Sequence, residues 1–175
     1  MAKLKLKISL PRLTRCSLTI EIINRATKII LDQLMSKRLQ NKLNLKIHLR
    51  KSVLDNTTSG AFVLLCNGSK KQNEHKIILD YNMNTRNQLE ILAHELVHVH
   101  QAITNKLQYR TWKSDGDLHA RWNGKEVGKV NEIPYKERPW EVEAYSKQKD
   151  LYKFVQNITT DVLYENELRK SKENN

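Results

Sequence analysis

The sequence has few cysteines, no long apolar run and no segment that resembles a secretory leader. It contains 2 cysteines, Cys16 and Cys66, which lie far apart, so we expect buried thiols rather than a disulfide or a cysteine-based metal site. No apolar stretch approaches the roughly 18 residues that a membrane-spanning helix requires. The N-terminal MAKLKLKISLPRL lacks the apolar segment and cleavage site of a secretory signal. These absences predict a soluble, cytoplasmic protein without a membrane partner.

The length and composition favour a single folded domain with one strongly basic end. A chain of 175 residues, of which 39% are hydrophobic, can bury one core, so we treat residues 1–175 as one domain. The net charge is +12. Residues 1–51 contain 13 Lys and Arg against 2 acidic residues, Glu21 and Asp32, whereas the rest of the chain is close to neutral.

Two interpretations of this basic N-terminal third stay open. Clustered lysines and arginines release counterions from phosphates, so the region is a candidate surface for nucleic acid or another acidic partner. Alternatively, it is a solvated face that keeps a small protein in solution. No feature of the sequence indicates the oligomeric state.

The N-terminal region predicts a strand followed by an amphipathic helix. In AKLKLKISL, lysines alternate with Leu or Ile, a pattern typical of an edge strand that ends at Pro11. Residues 17–38 have helical periodicity. We expect a polar stripe formed by Glu21, Arg25, Lys28 and Asp32. We expect a buried side formed by Leu18, Ile22, Ala26, Ile29, Ile30 and Leu34.

Three short β-prone runs follow this predicted helix. They are NLKIHLRK, GAFVLLCN and HKIILDYN, at 44–51, 60–67 and 75–82, and segments with turn-forming residues separate them. We expect them to form a small, mostly antiparallel sheet against which the first helix packs. The sequence therefore favours an α+β fold.

A long helix and a β-hairpin are predicted next. Thr85 and Gln88 have the spacing of a capping box, and the apolar run that follows extends to about Ile103. Further along, Asn123 and Gly124 form an Asn-Gly pair, which is the strongest short-range hairpin signal. We therefore expect a helix that ends near Ile103 and a hairpin that turns at the Asn-Gly pair.

The C-terminal region predicts one more helix. Residues 136–158 have helical periodicity, and Pro139 suits the first turn, where its missing N–H costs nothing. Residues 165–175 are mostly polar and lie close to the chain terminus. We expect this tail to be frayed.

The segment HELVH, residues 94–98, has the pattern of a zinc-binding helix. His94 and His98 are four residues apart, so on a helix they lie about 40 degrees apart around the axis and one turn apart along it. Both imidazoles can therefore reach one zinc ion. Glu95 lies about 100 degrees from His94, beside the metal, where its carboxylate can accept a proton from a zinc-bound water.

His100 is the third histidine of this region, but its position argues against a role as a ligand. It follows His94 by six residues, and therefore lies about 240 degrees further round the helix. We expect His100 to face away from the metal and to be a hydrogen-bonded residue on a packed or flanking face.

Catalytic zinc ordinarily has three protein ligands, so one ligand must come from outside HELVH. Helix geometry favours Glu141 and Glu143, because RPWEVEAY begins a second helix that can offer a rigid carboxylate. The two are about 200 degrees apart around that helix, so one faces the zinc and the other is expected to be exposed. The other downstream candidates are Asp115, Asp117, His119, Glu126, Glu132 and Glu137.

HELVH, followed about forty residues later by EVEAY, resembles the gluzincin branch of zinc metallopeptidases, and most closely its small intracellular and phage-type members of SprT-like or minigluzincin character. The resemblance implies a zincin-like fold in which the HELVH helix, a hairpin and a C-terminal helix hold one zinc ion, with Glu141 as the third ligand. Tyr145 stands where gluzincins tend to have an Asp that hydrogen-bonds a ligand histidine. SprT-like proteins more often close the site with a histidine, which keeps His119 as an alternative.

The resemblance also implies a mechanism and a mode of substrate binding. Zinc would polarise the scissile carbonyl of a peptide, while Glu95 accepts a proton and passes it to the leaving amine. The peptide would lie antiparallel to an edge strand, at 60–67 or 75–82. An oxyanion donor is also needed, and we favour Tyr135. The candidates for this donor are Tyr109, His119, Arg121, Tyr135 and Arg138.

The expected function is hydrolysis of peptide bonds in a protein substrate by a zinc metalloendopeptidase. A DNA-associated protease of the SprT-like kind, tethered to nucleic acid by basic residues 1–51, is an alternative within this class. A protein in which zinc only stabilises the fold of a binding module is the alternative outside it. The sequence indicates neither the substrate nor the cleavage preference.

Overall fold

In the computed structural model of the protein, five stretches of the chain are described. They are residues 4–9, 17–50, 62–65, 74–112 and 116–173. Some of the features predicted from the sequence lie outside these stretches. They are Pro11, Cys16, Cys66, Asp115 and the turn segments at 51–61 and 66–73.

The described stretches form a mixed helix and sheet structure, so the predicted α+β class is confirmed. The strands are β1 (Lys5–Ser9), β2 (Asn44–Arg50), β3 (Phe62–Leu65), β4 (Glu74–Asp80), β5 (Leu107–Thr111), β6 (Leu118–Trp122) and β7 (Lys125–Lys129). The helices are α1 (Ser17–Leu34), α2 (Lys37–Gln40), α3 (Thr85–Ile103), α4 (Pro139–Lys153) and α5 (Ile158–Glu173). No helix within these stretches has the length and apolar character needed to cross a membrane.

The first sheet has the strand order β1-β2-β4-β3. Strands β1, β2 and β4 are parallel, and β3 pairs antiparallel with β4. The prediction of a mostly antiparallel sheet is therefore wrong for this sheet. The reason lies in the connection from β1 to β2, which runs through α1 and returns the chain in the same direction, as strand-helix-strand units do.

One face of this sheet forms the main hydrophobic core with α1 and α3. In β2 and β4, buried residues alternate with half-buried ones, because successive side chains of a strand point to opposite faces. The buried residues of these two strands include Leu45, Ile47, Leu49, Ile77 and Leu79. The side chains between them, most of which are polar or basic, lie on the opposite face.

Helix α1 ends one turn earlier than predicted, and α2 follows it. Ile29 is 36% exposed, so the prediction that it lies on the buried side is wrong. It is about 100 degrees round the helix from Ile30, which is fully buried. The buried face extends instead to Ile23 and Leu31.

Helix α3 has the predicted extent, but its N-terminal cap differs from the prediction. The side chain of Asn84 accepts a hydrogen bond of 2.8 Å from the backbone N of Asn87, so Asn84 caps the helix and Thr85 is its first residue. Asparagine is a strong N-cap residue. The proposed partner in a capping box, Gln88, instead donates to the carbonyl of Asp80 at the end of β4.

Strands β5, β6 and β7 form a second, antiparallel sheet. The predicted hairpin is confirmed, because Asn123 and Gly124 join β6 to β7 with φ angles of 50° and 79°, as a type I′ turn requires. This sheet packs on the start of α4 through a small core around Trp140, which is 1% exposed. The other members of that core are Leu107, Tyr109, Ala120, Trp122, Val130 and Ile133.

Helix α4 has Pro139 in its first turn, as predicted, but it runs from Pro139 to Lys153 rather than over residues 136–158. A further helix, α5, continues to Glu173, where the sequence analysis expected a frayed tail from residue 165. The signal for this helix was a set of apolar residues at helical spacing, which pack into the main core. The residues that provide it are Val155, Ile158 and Val162.

Candidate metal centre

Helices α3 and α4 bring His94, His98 and Glu141 together in a buried group that could hold a metal ion. The Nε2 atoms of His94 and His98 are 3.1 Å apart. The Oε2 atom of Glu141 lies 3.2 Å from Nε2 of His94 and 3.3 Å from Nε2 of His98. One potential ligand atom from each side chain thus stands at a corner of a nearly equilateral triangle.

The size of this triangle suits a small ion with tetrahedral coordination. Bonds of about 2.0–2.1 Å at tetrahedral angles place neighbouring ligand atoms about 3.3 Å apart, close to the three distances above. Three protein ligands fill three of the four tetrahedral positions and leave the fourth for water or a substrate. Two imidazoles and one carboxylate are also a ligand set typical of catalytic sites.

Local sequence and packing together explain how the three side chains meet. His94 and His98 are one turn apart on α3 and therefore point the same way. Glu141 lies in the first turn of α4. Pro139 starts that helix, and the buried Trp140 anchors it against the second sheet. The position of Glu141 consequently depends on contacts between elements that are distant in the chain.

Opposite charges determine how the group ionises. Burial opposes ionisation of Glu141, but hydrogen bonds with His94 and His98 outweigh it and hold the pKa of Glu141 well below its usual value. Burial alone would lower the pKa of His98, but the carboxylates of Glu141 and Glu95 have the larger opposite effect. The pKa of His98 is therefore raised. Glu141 therefore stays an ionised carboxylate, the form that a metal ligand requires.

Glu95 is buried beside this group without being one of its three potential ligands. Burial raises the pKa of Glu95, and the nearby imidazoles of His98 and His94 act against that shift. A raised pKa makes a carboxylate a better proton acceptor.

Two glutamines that were not predicted from the sequence contact the histidines of this group. Gln101 Oε1 lies 2.8 Å from His98 Nδ1, and Gln148 Oε1 lies 3.3 Å from His94 Nδ1. Both contacts involve the ring nitrogen that is turned away from the triangle, where residues that orient a ligand histidine usually bind. Gln101 follows His98 by three residues, a spacing at which helical side chains meet, so the sequence did contain a signal for this contact.

Two tyrosines also lie against the group. The ring of Tyr145 contacts the ring of His94 edge to face, with centroids 4.6 Å apart. The hydrogen bond to His94 that the resemblance implied at this position is made instead with Gln148. Burial, and after it the interaction with Glu141, raise the pKa of Tyr135, so the hydroxyl of Tyr135 lies near a potential ligand.

Glu143 is not exposed, contrary to the expectation for the α4 carboxylate that faces away from the metal. Its side chain is 17% exposed, and its Oε1 lies 2.7 Å from Lys106 Nζ and 2.8 Å from Lys147 Nζ. Its Oε2 accepts a hydrogen bond from Gln101. The two lysines cover this side of α4, since one lies just beyond the end of α3 and the other one turn along α4.

The other histidines and candidate carboxylates within the described residues lie outside the group. His119 is in the second sheet, where its Nδ1 lies 3.5 Å from Glu126. His100 lies outside the group, as predicted, but its buried Nδ1 has no hydrogen-bond partner, so the predicted hydrogen-bonded role is wrong for that atom. The remaining candidates, which also lie outside the group, are Asp117, Glu132 and Glu137.

Among the residues considered as oxyanion donors, Tyr135 and Tyr109 lie near Glu141. The pKa of both tyrosines is raised, mainly by burial and secondly by the negative charge of Glu141. Arg121 instead donates to the backbone of the hairpin turn, and Arg138 donates to two backbone carbonyls that precede α4. The two tyrosines are therefore the better candidates.

No family model, curated protein or solved structure matches this chain. The resemblance to gluzincins consequently depends on the HELVH and EVEAY motifs.

Proposed function

We propose that the protein is a zinc metallopeptidase of zincin-like fold that hydrolyses peptide bonds in a protein substrate. The observation that carries this proposal is the triangle of His94, His98 and Glu141 with Glu95 beside it. Two imidazole nitrogens and one carboxylate oxygen suit zinc, and their separations suit tetrahedral geometry. The order of HELVH and EVEAY along the chain supports the gluzincin type.

Glu95 is the general base in this proposal. A zinc ion held by the three ligands would polarise a peptide carbonyl and lower the pKa of a bound water toward about 7. The carboxylate of Glu95 accepts a proton from the attacking water and later returns it to the leaving amine. Burial of Glu95 supports this role, because it raises the pKa of the carboxyl group toward neutral pH.

Tyr135 is the proposed donor to the developing oxyanion. Its hydroxyl lies close enough to Glu141 for that carboxylate to raise its pKa, and the residue is 47% exposed, so a substrate can approach it. A phenol with a raised pKa stays protonated at neutral pH and keeps its hydrogen for donation. Tyr109 ranks second, because its ring packs on Trp140 in the small core.

Strand β3 is the proposed binding edge for the substrate. Strand β4 lies between β2 and β3, and its residues 75–78 are paired on both sides, which favours β3 over the stretch 75–82 as the binding edge. Among the described strands, β3 lies at one edge of the sheet and contacts α3. A peptide that pairs with β3 would therefore run along the helix that carries His94 and His98.

Replacement of Glu95 tests the proposed function. In zinc-loaded protein, Glu95→Gln should lower the cleavage of a library of quenched peptides by about 100-fold or more, with zinc content and melting temperature nearly unchanged. Glu90→Gln, on the same helix but paired with Arg86, is the matched control and should retain activity. Persistent cleavage by the Glu95→Gln protein contradicts the proposal. A wild-type protein that binds zinc but cleaves no peptide favours the non-catalytic alternative.

The face of the first sheet that lies opposite the main core favours a second candidate function, binding of nucleic acid. Lys7 pairs in register with Lys46, and Lys46 with Lys76, so three lysines form a row across adjacent strands that are about 4.8 Å apart. Like charges at neighbouring positions destabilise a sheet, and Glu74 offsets part of this charge by pairing with Lys46. His48 lies on the same face, and its pKa is lowered mainly by burial and secondly by the positive charge of Lys76. A phosphate backbone is the complementary ligand.

The salt dependence of DNA binding tests this second function. Retention on a single-stranded DNA oligonucleotide should fall steeply from low to moderate salt. The Lys7→Gln/Lys76→Gln protein should show a shallower salt dependence of binding, which corresponds to about two fewer counterions released. Lys125→Gln/Lys149→Gln removes the same charge from exposed positions outside the first sheet and is the control. Equal binding by the two double variants contradicts a role for this face.

A further inference from the structure

Gln101 is a fully buried side chain whose amide is completely engaged. It is 0% exposed. Its Oε1 lies 2.8 Å from His98 Nδ1, and its Nε2 donates to the carbonyl of Trp140 and to Oε2 of Glu143, each at 3.0 Å. A buried amide with partners at both ends has one orientation that satisfies every partner.

The partners of Gln101 determine which end of its amide faces His98. The Trp140 carbonyl can only accept a hydrogen bond, so the amide nitrogen must face it. The amide oxygen, which also can only accept, therefore faces Nδ1 of His98. Nδ1 must then carry a proton, so that whenever the His98 ring is neutral, its free lone pair lies on Nε2. Nε2 is the atom that stands in the triangle with His94 and Glu141.

Two lysines keep Glu143 in the accepting form. The ammonium groups of Lys106 and Lys147 lie 2.7 and 2.8 Å from Oε1 of Glu143, and Oε2 of Glu143 accepts a hydrogen bond from Gln101. The reversed orientation of the Gln101 amide would set its oxygen against the carbonyl oxygen of Trp140, which has no proton to donate. The side of α4 opposite to Glu141 thereby contributes to the site through Gln101.

We propose that Gln101 is a positioning residue, which holds His98 in the tautomer with a free Nε2, and that Glu143 orients Gln101. This inference rests on the proposed metal site and names the residues that prepare one of its ligands. Without the amide, the His98 ring can turn or carry its proton on Nε2, and either change removes the ligand atom from the triangle. His94 has a longer contact of the same kind, with Gln148 at 3.3 Å.

Zinc affinity separates this role from a general contribution to folding. Gln101→Met keeps the shape of the side chain but removes the amide, and should weaken zinc binding by roughly 10- to 100-fold in competition with a chromophoric chelator. Gln88→Met is the matched control, because Gln88 is also a buried glutamine of α3 and bonds Asp80 away from the triangle. Equal affinities of the wild-type and Gln101→Met proteins, or equal losses in both variants, overturn the proposal.

A spectroscopic measurement on the wild-type protein tests the tautomer directly. In zinc-loaded protein with ¹⁵N-labelled histidine, NMR should show a slowly exchanging proton on Nδ1 of His98. The Gln88→Met protein should retain this proton, and Gln101→Met should exchange it rapidly. A wild-type protein whose His98 carries its proton on Nε2 overturns the positioning role. A wild-type protein that binds no zinc at all overturns the proposed function itself, so the two failures are distinguishable.

Discussion

The Oε2 atom of Glu141 lies 3.2 Å from Nε2 of His94, although the two residues are separated by 47 positions in the chain. This contact joins the first turn of α4 to the middle of α3. The interface between the two helices is therefore the centre of the site. Packing of α4 and metal binding should depend on each other.

Replacement of Trp140 tests this dependence. Trp140→Ala should lower the free energy of unfolding by about 3–5 kcal/mol and also weaken zinc binding, because Trp140 anchors the turn that holds Glu141. Urea unfolding and chelator competition measure the two effects. Ile30→Ala, in an equally buried position of α1, should be destabilising without a comparable loss of zinc affinity. Similar losses of zinc affinity in both variants would mean that Trp140 acts only through overall stability.

Removal of the metal should lower thermal stability. A ligand that binds only the folded state stabilises it by about 2.7 kcal/mol at a free concentration of one hundred times Kd. For a domain of this size, that corresponds to roughly 5–11 °C in Tm. Calorimetric scans with zinc and with excess chelator should show this difference for the wild-type protein. His94→Ala should show almost none, and an equal shift in that variant would place the stabilising zinc elsewhere.

The hairpin turn between β6 and β7 should tolerate a glycine in place of Asn123, but it should not tolerate a side chain at Gly124. Gly124 has a φ angle of 79°, where a residue with a Cβ atom is strained by roughly 1–2 kcal/mol. Gly124→Ala should therefore lower the free energy of unfolding by about that amount, whereas Asn123→Gly should be nearly neutral. Urea denaturation measures both. A neutral Gly124→Ala substitution would be evidence against the type I′ turn.

The contact between α1 and α5 should depend on pH. Arg25 hydrogen-bonds both carboxylate oxygens of Glu165, and the bond lowers the pKa of Glu165 in the folded protein. Because the unfolded pKa is higher, at about 4.3, the pair stabilises the fold at neutral pH, and this contribution is lost as the pH falls through the folded pKa. Urea titrations at a series of pH values should therefore show that the difference in stability between the wild-type and Arg25→Met proteins shrinks as the pH falls. Lys28→Met is the control, and an Arg25→Met difference that persists into strong acid contradicts the assignment.

Features that depend on local sequence were predicted well. The spacing of His94 and His98 places them on one side of any helix, irrespective of the rest of the fold. The turn at Asn123 and Gly124 and the helix start at Pro139 have similarly local causes. These signals fixed two of the three potential ligands and the beginning of the helix that carries the third.

Features that depend on contacts between distant segments were missed or stayed open. Helical periodicity on α4 offered both Glu141 and Glu143, and only packing against α3 decides which one meets His94. Glu143 was expected to be exposed because Lys106, which covers it, comes from a different part of the chain. The parallel pairing of β1 and β2 was missed, although the strand-helix-strand order of the chain favoured it. Gln101 was missed because its amide is not a usual metal ligand, and its place at the site depends on contacts with His98 and with α4.

Zinc analysis of variants at the three candidate third ligands tests the central claim most directly. We expect one zinc ion per molecule in the wild-type protein and in His119→Ala. Glu143→Ala should also bind one zinc ion at saturating zinc, although more weakly. Glu141→Ala should lose it. A Glu141→Ala protein that keeps its zinc, or a His119→Ala protein that loses it, would contradict the assignment of His94, His98 and Glu141 as the metal ligands.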